Sequence, residues 1–253
     1  MGVSLGVDWA GDHWLCLEHR PTSAAPHPAT YNSIKDVWEA YDNGHDISRL
    51  CIDIPIGLPT GPNERAVDTR CRSHLTRKST VFRVPIREAL EADTPEEVNR
   101  KSRAGTQTED TDGVGVQPPA YAIRNQILEV NNFIDECTQD TTDNLYEVHP
   151  ELCFTALSKS PPQYSKTTAQ GAAERIEALD TVADDAAVLV GATLTAVKDN
   201  IDDAAGIEVD DVLDALAAMY TATAPENEFW LLTDDADATP PQRMAYRSPS
   251  ELD

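Results

Sequence analysis

Residues 3–19 read Val3-Ser4-Leu5-Gly6-Val7-Asp8-Trp9-Ala10-Gly11-Asp12-His13-Trp14-Leu15-Cys16-Leu17-Glu18-His19. Two apolar runs of strand length flank Ala10-Gly11-Asp12. This predicts a hairpin, with one strand over 3–8 and its partner over 13–19. The first run ends on Asp8, where a side chain can project from a sheet edge. Ionised carboxylates are costly to bury unless they are paired or metal-bound. An acid inside a strand-like run therefore asks for a partner.

Working outward, residues 20–28 form a Pro-rich loop, and a short third strand is expected near Ala29–Tyr31. Ser33 is placed to cap a helix that runs to Tyr41 and stops at Asn43-Gly44. Residues 49–54 are almost continuously apolar, as in a strand covered on both faces. The first 55 residues thus read β-β-β-α-β. Residues 57–63 are Gly/Pro-rich loop, and helices are expected at 64–75 and 86–102. The polar stretch 103–118 reads as a mobile loop. A long amphipathic helix follows over 119–137, with Ile123, Ile127, Val130 and Ile134 on one face. Residues 145–148 form a fifth strand, and helices follow at 150–157, 168–180, 182–199 and 210–222. The tail from about 225 lacks pattern, apart from Phe229-Trp230-Leu231-Leu232, a short strand or docking segment. The expected architecture is α/β in a single domain over 1–253. It has a mixed five-stranded sheet, helices on both faces, and a helical insertion at about 58–144.

The 253 residues carry a formal net charge of −24 and 40% hydrophobic residues, so the chain is acidic and globular. Lysine supplies six of the 20 basic residues, and the acids run through the whole chain. That pattern suggests a protein from a halophilic organism, working in a cytosol of molar salt, where the Debye length falls to roughly 3 Å. The five cysteines are odd in number and form no C-x-x-C pair, so neither a disulfide framework nor a zinc knuckle is expected. Cys16, Cys51 and Cys153 read as buried thiols. Neither a signal peptide nor an apolar run of membrane-spanning length is present. The expected location is the cytoplasm, with no membrane partner.

Two further apolar runs carry acids, Leu50-Cys51-Ile52-Asp53-Ile54-Pro55 and Leu145-Tyr146-Glu147-Val148-His149-Pro150. Near the C-terminal end, Asp210-Asp211-Val212-Leu213-Asp214-Ala215-Leu216 places Asp211 and Asp214 on one helical face. Each acid has a plain alternative: a turn cap, an edge-strand position or a solvated face. Together, four acid-bearing elements suit two divalent metals, which prefer oxygen ligands and can clamp both oxygens of a phosphodiester displacement. Between residues 65 and 87 the sign of charge reverses locally, with Arg65, Arg70, Arg72, Arg77, Lys78, Arg83 and Arg87 against one acid, Asp68. Arginine forks suit phosphate, and internal ion pairing is the competing reading. His149 is a proton-shuttle, substrate-contact or structural candidate. Lys166, in Ser165-Lys166-Thr167-Thr168, offers a further cation beside a helix cap. Trp9, Trp14 and Trp38 are stacking candidates by position.

With these residues assembled, the chain resembles the DUF429 family, a group of proteins predicted to be nucleases with an RNase H-like (RuvC-type) fold. The motifs that carry the resemblance are Gly6-Val7-Asp8, Ile52-Asp53-Ile54-Pro55-Ile56-Gly57-Leu58-Pro59, Arg77-Lys78-Ser79-Thr80-Val81-Phe82, Glu147-Val148-His149-Pro150-Glu151 and Asp210 to Leu216. The Gln117–Val130 stretch, Ser165-Lys166-Thr167, Gly171 and Arg175 also match. The turn after Asp8 and the charge at Arg83 depart from the family pattern. The resemblance implies Asp8 on the first strand, Asp53 on the fourth, and Asp211 or Asp214 on the last helix. It makes Glu147 a fourth acid. The resulting expectation is a nuclease dependent on Mg²⁺ or Mn²⁺. Asp8, Asp53 and Asp211 or Asp214 would hold metal, and Glu147 would assist. Arg65, Arg70, Arg77, Lys78, Arg83, His149 and Lys166 would face a nucleic-acid or other phosphoester substrate. A non-catalytic nucleic-acid or nucleotide-binding module is the alternative. An actin-like ATPase or kinase ranks below it, because it needs two β-β-β-α-β repeats and only one is found.

Overall fold

The computed structural model describes residues 2–23, 25–42, 47–137, 143–233 and 240–252. The expected helix stop at Asn43-Gly44 lies outside the described residues. The fold is α/β, built on one mixed sheet with strand order β3-β2-β1-β4-β5-β7-β6. Its strands are β1 (Val3–Ala10), β2 (His13–Glu18), β3 (His27–Tyr31), β4 (Ile47–Ile52), β5 (Leu145–Val148), β6 (Phe229–Thr233) and β7 (Arg243–Arg247). Strands β1, β4, β5 and β7 run parallel, while β2 is antiparallel to β1 and β3, and β6 to β7.

The sheet therefore has seven strands rather than the five expected. The tail is not irregular where described: Phe229–Thr233 and Arg243–Arg247 pair with each other, and β7 joins β5. Tyr246 and Ala245 are fully buried there. Arg243-Met244-Ala245-Tyr246-Arg247 is too short to show its period, so pairing partners far away in sequence decide its state.

Helices cover both faces. On one face α1 (Ile34–Asp42) and α6 (Arg124–Glu136) pack on Leu5, Val7, Trp14, Leu50 and Ile52. The other face carries α2 (Ala66–His74), α7 (Pro150–Ser158), α8 (Ala169–Leu179), α9 (Ala186–Asn200) and α10 (Val209–Ala222), which pack on Leu15, Leu17, Cys51 and Val148. Between β4 and β5 lie α2, α3 (Arg87–Leu90), α4 (Pro95–Thr106), α5 (Pro118–Ala122) and α6. Ser33 caps α1 as expected, accepting the Asp36 N–H at 3.1 Å.

Two expected helices are broken. The 86–102 helix divides at Thr94, which precedes Pro95 and caps α4 by accepting the Glu97 N–H. A residue before proline avoids the helical region. The 119–137 helix divides at Ile123, whose ψ of 19° leaves the helical range. The loop expected to be mobile is tied down: Val116 N–H donates to Asn99 Oδ1 at 3.0 Å, and Val114 N–H to Thr106 Oγ1 at 2.7 Å.

Gly6 sets the distance between β1 and the buried helix α10. A Cβ at Gly6 would lie 2.2 Å from the Met219 backbone nitrogen and 2.3 Å from the Ala215 carbonyl oxygen. Strand β1 can touch α10 only because residue 6 has no side chain. Alternation then puts Asp8, two residues on, on the same face.

Candidate carboxylate site at the strand ends

Parallel strands β1, β4 and β5 bring their C-terminal ends to one edge of the sheet, the usual place for ligands in such sheets. Asp8 lies near the end of β1, Asp53 directly follows β4, and His149 directly follows β5. The Asp53 N–H donates to the Val7 carbonyl at 3.0 Å, locking the two acid-bearing segments side by side. Asp214, on α10, approaches from the helix that Gly6 admits. Asp8 and Asp214 are buried, and Asp53 is partly buried.

Asp8 feels the charges of Asp53 and Asp214, and Asp53 feels that of Asp214. Burial, then Asp53 and Asp214, push the Asp8 carboxyl well above its ordinary value. Burial and Asp214 do the same to Asp53. Burial also raises Asp214, against the opposing pull of Lys166. The Lys166 ammonium lies 2.6 Å from Asp214 Oδ2 and 3.1 Å from Asp210 Oδ2. The other oxygen, Asp214 Oδ1, is buried without a hydrogen-bond partner. Asp211 does something else. Its carboxylate accepts the Glu208 N–H at 2.8 Å and closes the N-terminal cap of α10. Of the two helix acids, Asp214 is the one that faces Asp8 and Asp53.

Glu147 sits on the other face. It pairs with Ile52 in register, and Ile52 belongs to the core under α1 and α6. Its carboxylate accepts the Ile56 N–H at 2.8 Å and two bonds from Arg65, at 2.9 and 2.6 Å. Arg65 is buried too. It pairs with Asp68 at 2.5 Å and donates to the Ile56 carbonyl at 2.8 Å. Glu147 and Arg65 thus shape the loop after Asp53 from inside the protein. Both also line the wall of the cavity beside Asp53.

The other cations of the 65–87 segment divide in the same way. Arg72 pairs with Glu64, and Arg87 with Asp135. Arg70 donates to the Thr233 carbonyl, Arg83 to that of Pro62, and Arg77 to that of Gln163. Arg70, Arg77 and Lys78 remain exposed. His149 Nε2 lies 3.4 Å from the Thr80 carbonyl, its Nδ1 is buried without a partner, and burial lowers its pKa. Beside Asp53 is a cavity of about 110 Å³, lined by Thr80, Phe82, Val84, Ile123 and His149 among others. Trp14 and Trp38 are buried and unavailable for stacking, and Trp9 rests edge-on against Trp14 at 5.1 Å.

A family model described as "Protein of unknown function (DUF429)" matches residues 6–237. The chain belongs to the DUF429 family. No curated protein and no solved structure matches it. The matched span takes in all the DUF429 site residues named above and leaves out β7.

Sequence reading missed Asn131 as a support of this candidate site, and it named Asp210 and Arg175 without their roles. Asn131 on α6 accepts the Gly57 N–H at 2.9 Å and donates to the Pro55 carbonyl at 2.9 Å, pinning the loop after Asp53. Its signal was a polar residue four positions after Ile127, on the apolar face of the helix. Asp210 shares the Lys166 ammonium. Arg175, buried against Glu151 (Nε to Oε1, 3.0 Å), orders the segment that carries Lys166.

The donor set suits a hard divalent cation in chemistry: oxygen donors on three elements, mutual repulsion, and one orphaned oxygen. Among the described residues, however, no three His, Cys, Asp or Glu side chains are gathered closely enough to hold a metal ion. The cation present is the lysine's own. Likewise, among the described residues no helix is long and apolar enough to cross a membrane.

The raised carboxyls make a testable statement about stability. Folded-state values above the unfolded ones mean that the folded protein binds more protons between the two. Stability then falls as pH rises through the raised values. In chelator, the melting temperature of the protein should fall as pH rises above the ordinary carboxyl range. Asp53→Asn should flatten this slope. Parallel slopes for the two proteins in a thermal-melt series would remove the coupling.

Proposed function

We propose that this DUF429 protein is a divalent-metal-dependent nuclease built on an RNase H-like core. The observation that supports the reading is that Asp8, Asp53 and Asp214, from the ends of two parallel strands and one helix, lie at one edge of the sheet, with Asp214 Oδ1 buried without a hydrogen-bond partner. The core assignment is supported by the order β3-β2-β1-β4-β5, in which a β-β-β-α-β unit opens the chain.

Asp8, Asp53 and Asp214 would hold Mg²⁺ or Mn²⁺, which supplies Lewis-acid stabilisation of charge developing on phosphate oxygens. The chain's own groups do the rest. The Arg65–Asp68–Glu147 triad and Asn131 hold the Asp53 loop in place. Exposed Arg77 and Lys78, next to the cavity wall at Thr80, supply phosphate contact. Phosphate contact alone weakens steeply as salt rises, so the cavity beside Asp53, whose wall includes Phe82, Val84 and Ile123, adds apolar contact.

A second reading, a nucleic-acid or nucleotide-binding module without turnover, draws on the absence of a ready three-ligand group among the described residues. One assay separates the two. Single-stranded, duplex and branched DNA and RNA are incubated with the protein in molar KCl with Mn²⁺ or EDTA. Cleavage that requires Mn²⁺ is the expected result. Binding without cleavage, undiminished by EDTA, would overturn the nuclease reading in favour of the second.

A further inference from the structure

Lys166 touches both acids of one turn of α10, Asp214 at 2.6 Å and Asp210 at 3.1 Å. We propose that Lys166 is the site's resident counter-ion, and that a divalent cation enters by displacing its ammonium from Asp214 into solvent. This rests on the metal-site reading above.

Four observations carry it. First, one ammonium contacts two acids, Asp210 and Asp214, beside the strand-end acids Asp8 and Asp53, so the site stays short of positive charge. Second, the lysine engages only one oxygen of Asp214 and leaves Oδ1 buried without a partner. Third, its backbone is fixed. Glu174 accepts the Gln163 and Tyr164 N–H groups at 2.9 Å each. Thr168 caps α8. Gly171 lies so close that a Cβ there would fall 1.9 Å from the Ser165 carbonyl oxygen. Fourth, the lysine side chain is 41% exposed. It has a flexible four-carbon stem and water to swing into, so release needs side-chain rotation and no movement of the loop. An ammonium and a divalent cation cannot share the same carboxylate oxygens, because like charges at contact distance repel strongly in a partly buried site.

Two measurements on the full chain test this. Mn²⁺ is titrated calorimetrically into wild type, Lys166→Met and Asp214→Asn, with thermal melts to confirm folding. Lysine acylation is followed by mass spectrometry with and without Mg²⁺, using Lys35 and Lys198 (side chains 65% and 84% exposed) as references. The expected results are Mn²⁺ affinity about tenfold or more tighter in Lys166→Met, and Lys166 acylation accelerated severalfold by Mg²⁺ relative to the references. Unchanged or weaker Mn²⁺ binding in Lys166→Met, with wild-type binding intact, would overturn the counter-ion role and leave the metal site standing. Tighter binding without faster acylation would overturn displacement, since the lysine would then act at a distance. Mn²⁺ binding that Asp214→Asn leaves untouched, or no binding by either the wild type or Lys166→Met, would overturn the metal site itself.

Discussion

Asp53→Asn should abolish Mn²⁺-dependent cleavage, by roughly a thousandfold or more, and at the same time raise the melting temperature of the metal-free protein. The two effects have one origin. Asp53 is held beside Asp8 by the bond from its own N–H to the Val7 carbonyl, and its carboxyl is raised by burial and by Asp214. An amide of the same shape keeps the packing and removes one of the mutually repelling charges. Function-bearing sites commonly carry such destabilisation, and relieving it returns about 0.5–2 kcal/mol. For a chain of this length each kcal/mol moves the melting temperature by about 2–4 °C. Melts in EDTA and cleavage in Mn²⁺ check the two halves separately. A variant that melts lower and still cleaves would contradict both. A variant that melts higher but cleaves normally would keep the electrostatics and remove Asp53 from the chemistry.

Arg65→Ala should cost about 3–5 kcal/mol of stability, the penalty for leaving buried partners of an ion pair uncompensated. The Arg65 side chain has no exposure, and those of Asp68 and Glu147 are 2% and 3% exposed. Removing it strands two carboxylates and takes a donor from the Ile56 carbonyl. Arg70→Ala, on an exposed side chain, should stay within about 0.5 kcal/mol of wild type. A phosphate-binding arginine would behave in the opposite way, with stability kept and substrate affinity lost. Denaturant melts of the two variants distinguish the cases. The triple variant Arg65→Met, Asp68→Asn, Glu147→Gln should recover much of the loss, because the cost lies in unpaired charge.

Much of the element order was legible in the chain. The hairpin around Gly11, the Ser33 cap, the apolar run of β4 and the period of α10 all use signals confined to a few neighbouring residues. The differences have two causes. Thr94-Pro95 is a local break signal inside the expected 86–102 helix, since a residue before proline avoids the helical region. The break at Ile123 and the pairing of β6 with β7 depend on packing that no short window contains. The arginine-rich segment was read by composition, and composition does not reveal whether a guanidinium finds its acid three residues away, as Arg65 finds Asp68, or 82 residues away, as it finds Glu147.

The sequence by itself determined that Asp8 and Asp53 lie at or near the ends of apolar strands and that Asp211 and Asp214 share a helix, because side-chain period is a local property of the backbone. Only the tertiary structure decided which acids meet. Strand register turned Glu147 to the opposite face of the sheet from Asp8, since a shift of one residue exchanges the two faces. The close approach at Gly6 brought Asp214 to the site and left Asp211 to cap its helix. Folding also placed the Lys166 ammonium, 48 residues away in sequence, against Asp214. Charge pairing is set by distance in space, and spacing along the chain carries no record of it.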